Sequence, residues 1–129
     1  MQAVRKEKAM QSFLLKAKIH HARVTQAELD YDGSLTIDTD LMDLVRIVPF
    51  EKVLVTNLEN GNRFETYAIA GERGSGTICL NGATARLGKV GDRIIIFTFA
   101  QLSDEEIAGH KPRIVRLDAH NRPTEMIDT

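Results

Sequence analysis

The sequence predicts a small, mainly β domain, a β-barrel with a few short helices. Three observations predict it. Apolar and polar residues alternate with period two in short runs, turn residues punctuate those runs, and only brief stretches carry helical spacing. Composition sets the outer limits: of 129 residues, 43 % are hydrophobic, and 17 basic residues oppose 18 acidic ones for a net charge of −1. That mix excludes a disordered chain, and the length suits one domain. The longest apolar runs, Ile94 to Phe97 and Tyr67 to Ala70, are too short to span a bilayer as a helix. Near neutrality, with five phenylalanines, two tyrosines and no tryptophan, argues against a nucleic-acid partner. Cys79 is the only cysteine, so neither an internal disulfide nor a multi-cysteine metal site is available, and a cytoplasmic location is expected.

Residues Met1 to Ala9 are polar and basic and read as an N-terminal extension, disordered or a start-site artefact, with residues 10–129 forming a single domain. Phe13-Leu14-Leu15 is interrupted by Lys16 and Lys18, too short for a secretory apolar region. Leu15 to His20 alternates, which places Lys18 and His20 on one strand face. Tyr31-Asp32-Gly33-Ser34 reads as a tight turn into Leu35-Thr36-Ile37, and Asp38 caps a short helix carrying Leu41, Leu44 and Val45 that Pro49 terminates. Lys52 to Thr56 is a strand, and Asn60-Gly61 signals a hairpin into Arg63 to Ile69. On that second strand Arg63, Glu65 and Tyr67 share one face, and Phe64, Thr66 and Ala68 the other. Thr77 to Leu80 and Arg93 to Phe99 supply two more strands, with Asn81-Gly82 turning into a helical Ala83 to Leu87 between them. Ser103 and Glu106 have capping-box spacing for a last short helix, closed off before Pro112. The short alternating runs argue for small antiparallel strands.

Taken singly, most chemistry-bearing residues have bland readings. Gly71 to Gly76 lacks the Gly-Lys-Ser/Thr ending of a phosphate loop and reads as an inter-strand loop. His20 and His21 are adjacent, so on a regular strand they point to opposite faces, and with His110 and His120 they give no metal-ligand spacing. Cys79, between Ile78 and Leu80, reads as a buried, inert thiol. Asp32-Gly33-Ser34 is a favoured turn sequence. The same turn, if strained, can press the Ser34 hydroxyl toward the preceding carbonyl carbon, since Gly33 has no side chain to block the approach. Arg63 and Tyr67 can make a carboxylate clamp beside a proton donor, or be a solvated arginine and a half-buried tyrosine; Lys18 alone is a surface charge.

In combination the motifs say more. Tyr31-Asp32-Gly33-Ser34-Leu35-Thr36-Ile37-Asp38, Asn60 to Tyr67, Gly71 to Gly76, Ile78 to Leu87 and Val90-Gly91-Asp92 occur in order at consistent spacing. Together they resemble the pyruvoyl-dependent aspartate 1-decarboxylases, from about Met10 to Glu106. The resemblance implies a double-psi β-barrel assembling as a homotetramer with active sites between subunits. It implies a zymogen in which the Ser34 hydroxyl attacks the Gly33 carbonyl, with Thr66 assisting at the carbonyl oxygen. Cleavage between residues 33 and 34 then divides the 129 residues into a 33-residue β-chain and a 96-residue α-chain, the latter capped by a pyruvoyl group. That covalent ketone, with no metal, is the implied cofactor. It forms a Schiff base with L-aspartate and serves as an electron sink during loss of CO2, as pyridoxal phosphate does elsewhere. Tyr67 matches the proton donor, Arg63 a carboxylate-binding arginine, and Lys18 a lysine of the same site. His20 and Tyr31 match lining residues, while Thr66, Asn81, Gly82, Ala83 and Thr84 match substrate contacts. Thr84 departs from the alanine of many members.

The implied activity is conversion of L-aspartate to β-alanine and CO2 in pantothenate, hence coenzyme A, biosynthesis, with room for a separate maturation factor. Two alternatives are a non-catalytic double-psi barrel acting as a binding or adaptor module, and a pyruvoyl decarboxylase for another amino acid.

Overall fold

The computed structural model describes residues 10–127, so the expectation for Met1 to Ala9 lies outside the described residues. In chain order the elements are β1 (Gln11–Arg23), β2 (Gln26–Glu28), β3 (Ser34–Asp38), α1 (Thr39–Val45), β4 (Lys52–Asn57), β5 (Arg63–Gly71) and β6 (Ile78–Asn81). A 3₁₀-helix at Gly82–Arg86 leads to β7 (Arg93–Ser103), α2 (Asp104–Ile107), β8 (Arg113–Leu117) and β9 (Pro123–Ile127). One nine-stranded sheet runs β2-β6-β3-β5-β4-β7-β1-β8-β9.

Alternation along these strands directs one set of side chains inward. Ala17 and Ile19 of β1, Leu35 and Ile37 of β3, Val53 and Val55 of β4, Ala68 of β5, Ile78 and Leu80 of β6, Ile94 and Ile96 of β7 and Val115 of β8 meet in a single core, which the sheet bends around. Leu41, Met42 and Val45 of α1 cover one end of it. Each fully buried Leu, Ile or Val contributes on the order of 1.5–3 kcal/mol relative to exposure. The expected mainly β barrel with a few short helices is therefore present, and among the described residues no helix is long and apolar enough to cross a membrane.

Local signals located most elements. Asp38 caps α1, its carboxylate accepting the Asp40 amide at 2.8 Å. Ser103 and Glu106 form the capping box of α2. Gly61, at φ +75°, makes the turn between β4 and β5. The stretch Gly71 to Gly76 is a loop from β5 to β6, and Asp38 organises it too, accepting the amides of Gly74 at 3.0 Å and Gly76 at 2.8 Å. That carboxylate is buried and satisfied by backbone donors from two segments.

Several expectations need correction. Pairing is mixed: β1–β8, β2–β6 and β3–β5 are parallel. Alternation reports which face is buried, but a parallel partner arrives by crossover and leaves no mark in the local pattern. α1 stops before Pro49, because Arg46 takes the left-handed conformation (φ 60°) and its amide bonds back to Asp43 and Met42 carbonyls. The helical turn after Asn81 is 3₁₀ and begins at Gly82, one residue early. β2, β8 and β9 carry too little alternation to be seen in advance, and β1 and β7 are longer than their alternating segments. His20 and His21 do not diverge. His21 has φ +64° at a register shift between Ile19 and Ala22, and the two rings stack with centroids 3.8 Å apart. An inserted bulge residue breaks the period-two rule that sends neighbours to opposite faces.

Candidate active site

Ser34 opens β3 between β5 and β6 and is 2 % exposed. In the antiparallel β3–β6 ladder Ser34 faces Asn81 and Thr36 faces Cys79. These four side chains share the side of the sheet opposite the core, because Leu35, Ile37, Ile78 and Leu80 occupy the other. Their hydrogen bonds form one network. Asn81 Nδ2 donates to Ser34 Oγ at 3.0 Å and to Thr36 Oγ1 at 2.8 Å. Cys79 Sγ donates to Asn81 Oδ1 at 3.1 Å, and Ser34 Oγ donates to the Asp32 carbonyl, two residues back, at 3.3 Å.

The segment after Asn81 is shaped to the turn before Ser34. Gly82 has φ +66°, and a Cβ there would lie 2.7 Å from the Tyr31 carbonyl oxygen and 2.8 Å from Gly33 N and Cα. Only glycine allows that approach. Thr84 is buried and donates to the Asn81 carbonyl at 2.7 Å, closing the start of the 3₁₀-helix. Its hydroxyl, the departure noted in the sequence, is thus spent on the backbone that aims Asn81; Ala83 between them is exposed.

β5 lies parallel to β3 with Leu35 beside Ala68. One step back along that register sets Tyr67 beside Ser34 on the same face, with Thr66 the next residue back along β5 and on its other face. Tyr67 is 37 % exposed, with the Phe50 ring 6.3 Å away. A hollow of about 300 Å³ beside this cluster is lined by Tyr31, Thr36, Ile69, Cys79 and Asn81. Arg63 stands four residues from Tyr67, roughly 13 Å along the strand, in a larger hollow of about 450 Å³ with Phe13, Lys52, Glu65 and Phe99. Besides Asn81, the smaller hollow is lined by two members of the Ser34 hydrogen-bond network, Thr36 and Cys79, and the larger by none of them.

Lys18 and His20 lie elsewhere. They are on β1, which β5, β4 and β7 separate from β3. Lys18 Nζ sits 5.5 Å from the centroid of the Phe97 ring, a cation–π contact. His20 Nδ1 is buried without a hydrogen-bond partner. Burial above all, then the charges of His21, Lys18 and Arg116, bring its pKa down from 6.5 to about 4, so the ring is neutral at pH 7. Burial likewise lowers His21, followed by the charge of Arg93.

A family model described as "Aspartate decarboxylase" matches residues 10–124. Proteins named aspartate 1-decarboxylase are similar over nearly the same span. That of Thermoanaerobacter pseudethanolicus is 57 % identical over 117 residues, covering 91 % of this chain and all of the relative. That of Syntrophobacter fumaroxidans is 59 % identical over 114 residues (88 % of this chain, 92 % of the relative). That of Staphylococcus aureus is 56 % identical over 114 residues (88 % and 90 %).

The chain belongs to the aspartate decarboxylase family.

In this family member, then, the predicted site residues fall into separate places. Tyr31, Gly33, Ser34, Asn81, Gly82, Ala83 and Thr84 form the immediate surroundings of one serine, with Thr66 and Tyr67 on the adjoining strand. Arg63 lies farther along that strand, and Lys18 and His20 belong to a different part of the sheet. Sequence reasoning gave Thr36 no part, and it foresaw Cys79 as a buried thiol but not its hydrogen bond. Cys79 is buried and its pKa is raised, by burial and then Glu28, so it stays a thiol. Yet its S–H is committed to Asn81. The signal that would have found both is their period-two spacing from Ser34 and Asn81.

Proposed function

We propose that this chain is a self-processing decarboxylase that converts L-aspartate to β-alanine and CO2 and so supplies pantothenate and coenzyme A biosynthesis. The observation that carries the reading is the state of Ser34: inside a chain of this family, a buried hydroxyl is held by Asn81 directly after a glycine.

The processing chemistry can be written with this chain's own groups and water. Ser34 Oγ bonds to the Gly33 carbonyl carbon, the Gly33–Ser34 C–N bond breaks, and the hydroxyl proton passes to the freed nitrogen. Elimination at Ser34 releases Gly33 as a carboxylate, and water converts the resulting dehydroalanine to a pyruvoyl group with loss of ammonia. Thr66, next to Tyr67 on β5, is suited to donate toward the carbonyl oxygen as charge develops there. The fit of the pyruvoyl group rests on the open space at Gly33, where a Cβ would meet nothing within 4 Å, and on the hollow beside Asn81.

The pyruvoyl group, once formed, accepts the electrons that departing CO2 leaves behind. Tyr67, on the face of Ser34, is suited to return a proton to the substrate Cα through its O–H. Arg63 offers a planar fork for a carboxylate. Lys18 and His20 support the inter-subunit reading. Their strand lies across the sheet from Ser34, and exposed Phe13, Phe50 and Phe99 provide apolar surface for a second copy, so a homotetramer can bring one subunit's β1 to another's Ser34.

Intact mass under denaturing conditions tests the core of this. Purified protein, warmed if necessary, should resolve into the 33- and 96-residue chains, and hydrazine should trap the larger. Release of CO2 should favour aspartate over glutamate. A chain that stays whole with serine at position 34 overturns the reading; cleavage seen only with cell extract shows that a maturation factor is required; a preference for glutamate transfers the assignment to another amino acid.

A further inference from the structure

Resting on that reading, we propose that Thr36 and Cys79 are positioning residues for self-cleavage, acting through the side-chain amide of Asn81. An asparagine amide presents two donors at one end and an acceptor at the other, and can bind either way round unless its neighbours discriminate. Here they do. The hydroxyl proton of Ser34 is directed to the Asp32 carbonyl, so its Oγ has lone pairs to offer and receives an N–H from Asn81. The second N–H goes to Thr36 Oγ1, and the oxygen end is met by the S–H of Cys79. Turned over, the amide would place its NH2 against a sulfur, a poor acceptor. Thr36 and Cys79 therefore keep the donor end of Asn81 on Ser34, which holds Oγ in one rotamer beside the peptide bond it attacks.

Neither residue touches the scissile bond, and neither exchanges a proton in the reaction. In the cleavage step Oγ–C forms, C–N breaks and the serine proton moves to nitrogen, with no co-reactant. Their effect lies in how often Oγ occupies the productive rotamer.

The test is the rate at which freshly purified precursor divides after Gly33, followed by denaturing mass spectrometry. The expected results are that Thr36→Val slows cleavage roughly threefold to tenfold, the range for loss of one neutral hydrogen bond. Cys79→Ala slows it by about two- to fivefold, since S–H is the weaker donor. Thr36→Ser restores a near-wild-type rate, whereas Cys79→Ser does not, because a hydroxyl accepts as readily as it donates and no longer tells the two ends of the amide apart. Melting temperatures, compared in an uncleavable Ser34→Ala background, separate positioning from general stability. Thr36→Ser loses a methyl group on a strand and is expected to be less stable than Thr36→Val, yet should cleave faster. Rates that follow melting temperature instead of the hydroxyl overturn the inference, as do unchanged rates in Thr36→Val and Cys79→Ala while the wild type cleaves. A wild-type chain that never cleaves overturns the parent reading first, and this one with it.

Discussion

The neighbourhood of Ser34 and the bulged stretch of β1 are built on opposite plans. The Ser34–Thr36–Cys79–Asn81 set consists of neutral groups, and every side-chain polar atom in it has a hydrogen-bond partner. Around His20 the groups are cationic or imidazole, and Nδ1 of His20 is buried with no partner at all. A closed network of short side chains suits a group that must hold one orientation while its own backbone is cut. An unsatisfied, positively surrounded site suits a surface waiting for something anionic, whether a substrate carboxylate or a second copy carrying it. The difference teaches that a single protomer contains the whole of the proposed processing machinery but only part of the proposed substrate site.

The contrast can be broken from either side. The largest effect should come from Ser34→Ala, which removes the nucleophile without disturbing a face of the core: the chain should remain whole by mass and show no decarboxylation. Tyr67→Phe should separate the two chemistries, still cleaving but turning over aspartate roughly 100-fold or more slowly, the usual scale for a lost acid–base group; normal turnover would remove Tyr67 as donor. Gly82→Ala forces a methyl into the Tyr31–Gly33 turn at a left-handed φ. It should cost about 1–3 kcal/mol in urea unfolding and slow cleavage, whereas an unchanged cleavage rate would detach the turn from the reaction. The smallest effect belongs to β1. The folded pKa of His20 lies below its unfolded value, so from about pH 6.5 down to about 4 the unfolded state binds more protons and stability falls as pH falls. Above pH 6.5 His20 contributes no slope. In a Ser34→Ala background, the urea midpoint should drop less over that window for His20→Gln; identical drops would show that His20 is not the group responsible.

How far the sequence could be read depended on the range of the interaction. The Asp38 cap, the Ser103–Glu106 box and the Asn60-Gly61 turn were legible because each is decided within a few residues. The two faces of β5 were legible because period two needs no partner: Arg63, Glu65 and Tyr67 are exposed, as their spacing requires. The Gly33–Ser34 turn stood out once several motifs appeared in order. The stacking of His20 on His21 was not legible, because a bulge depends on the partner strand. Cys79 as a hydrogen-bond donor was hidden for a similar reason, its acceptor being aimed by a 3₁₀ turn and two hydroxyls on another strand.

By itself, then, the sequence determined the class of the fold, the caps and turns, the family and the serine on which the proposed chemistry centres, since these rest on local geometry and on the order of short motifs. Only the tertiary structure decided that three strand pairs run parallel, that Thr36 and Cys79 hydrogen-bond to the amide of Asn81, and that Lys18 and His20 stand apart from Ser34. Those outcomes depend on which distant segments meet across the sheet, and side-chain periodicity along one strand carries no information about its neighbour.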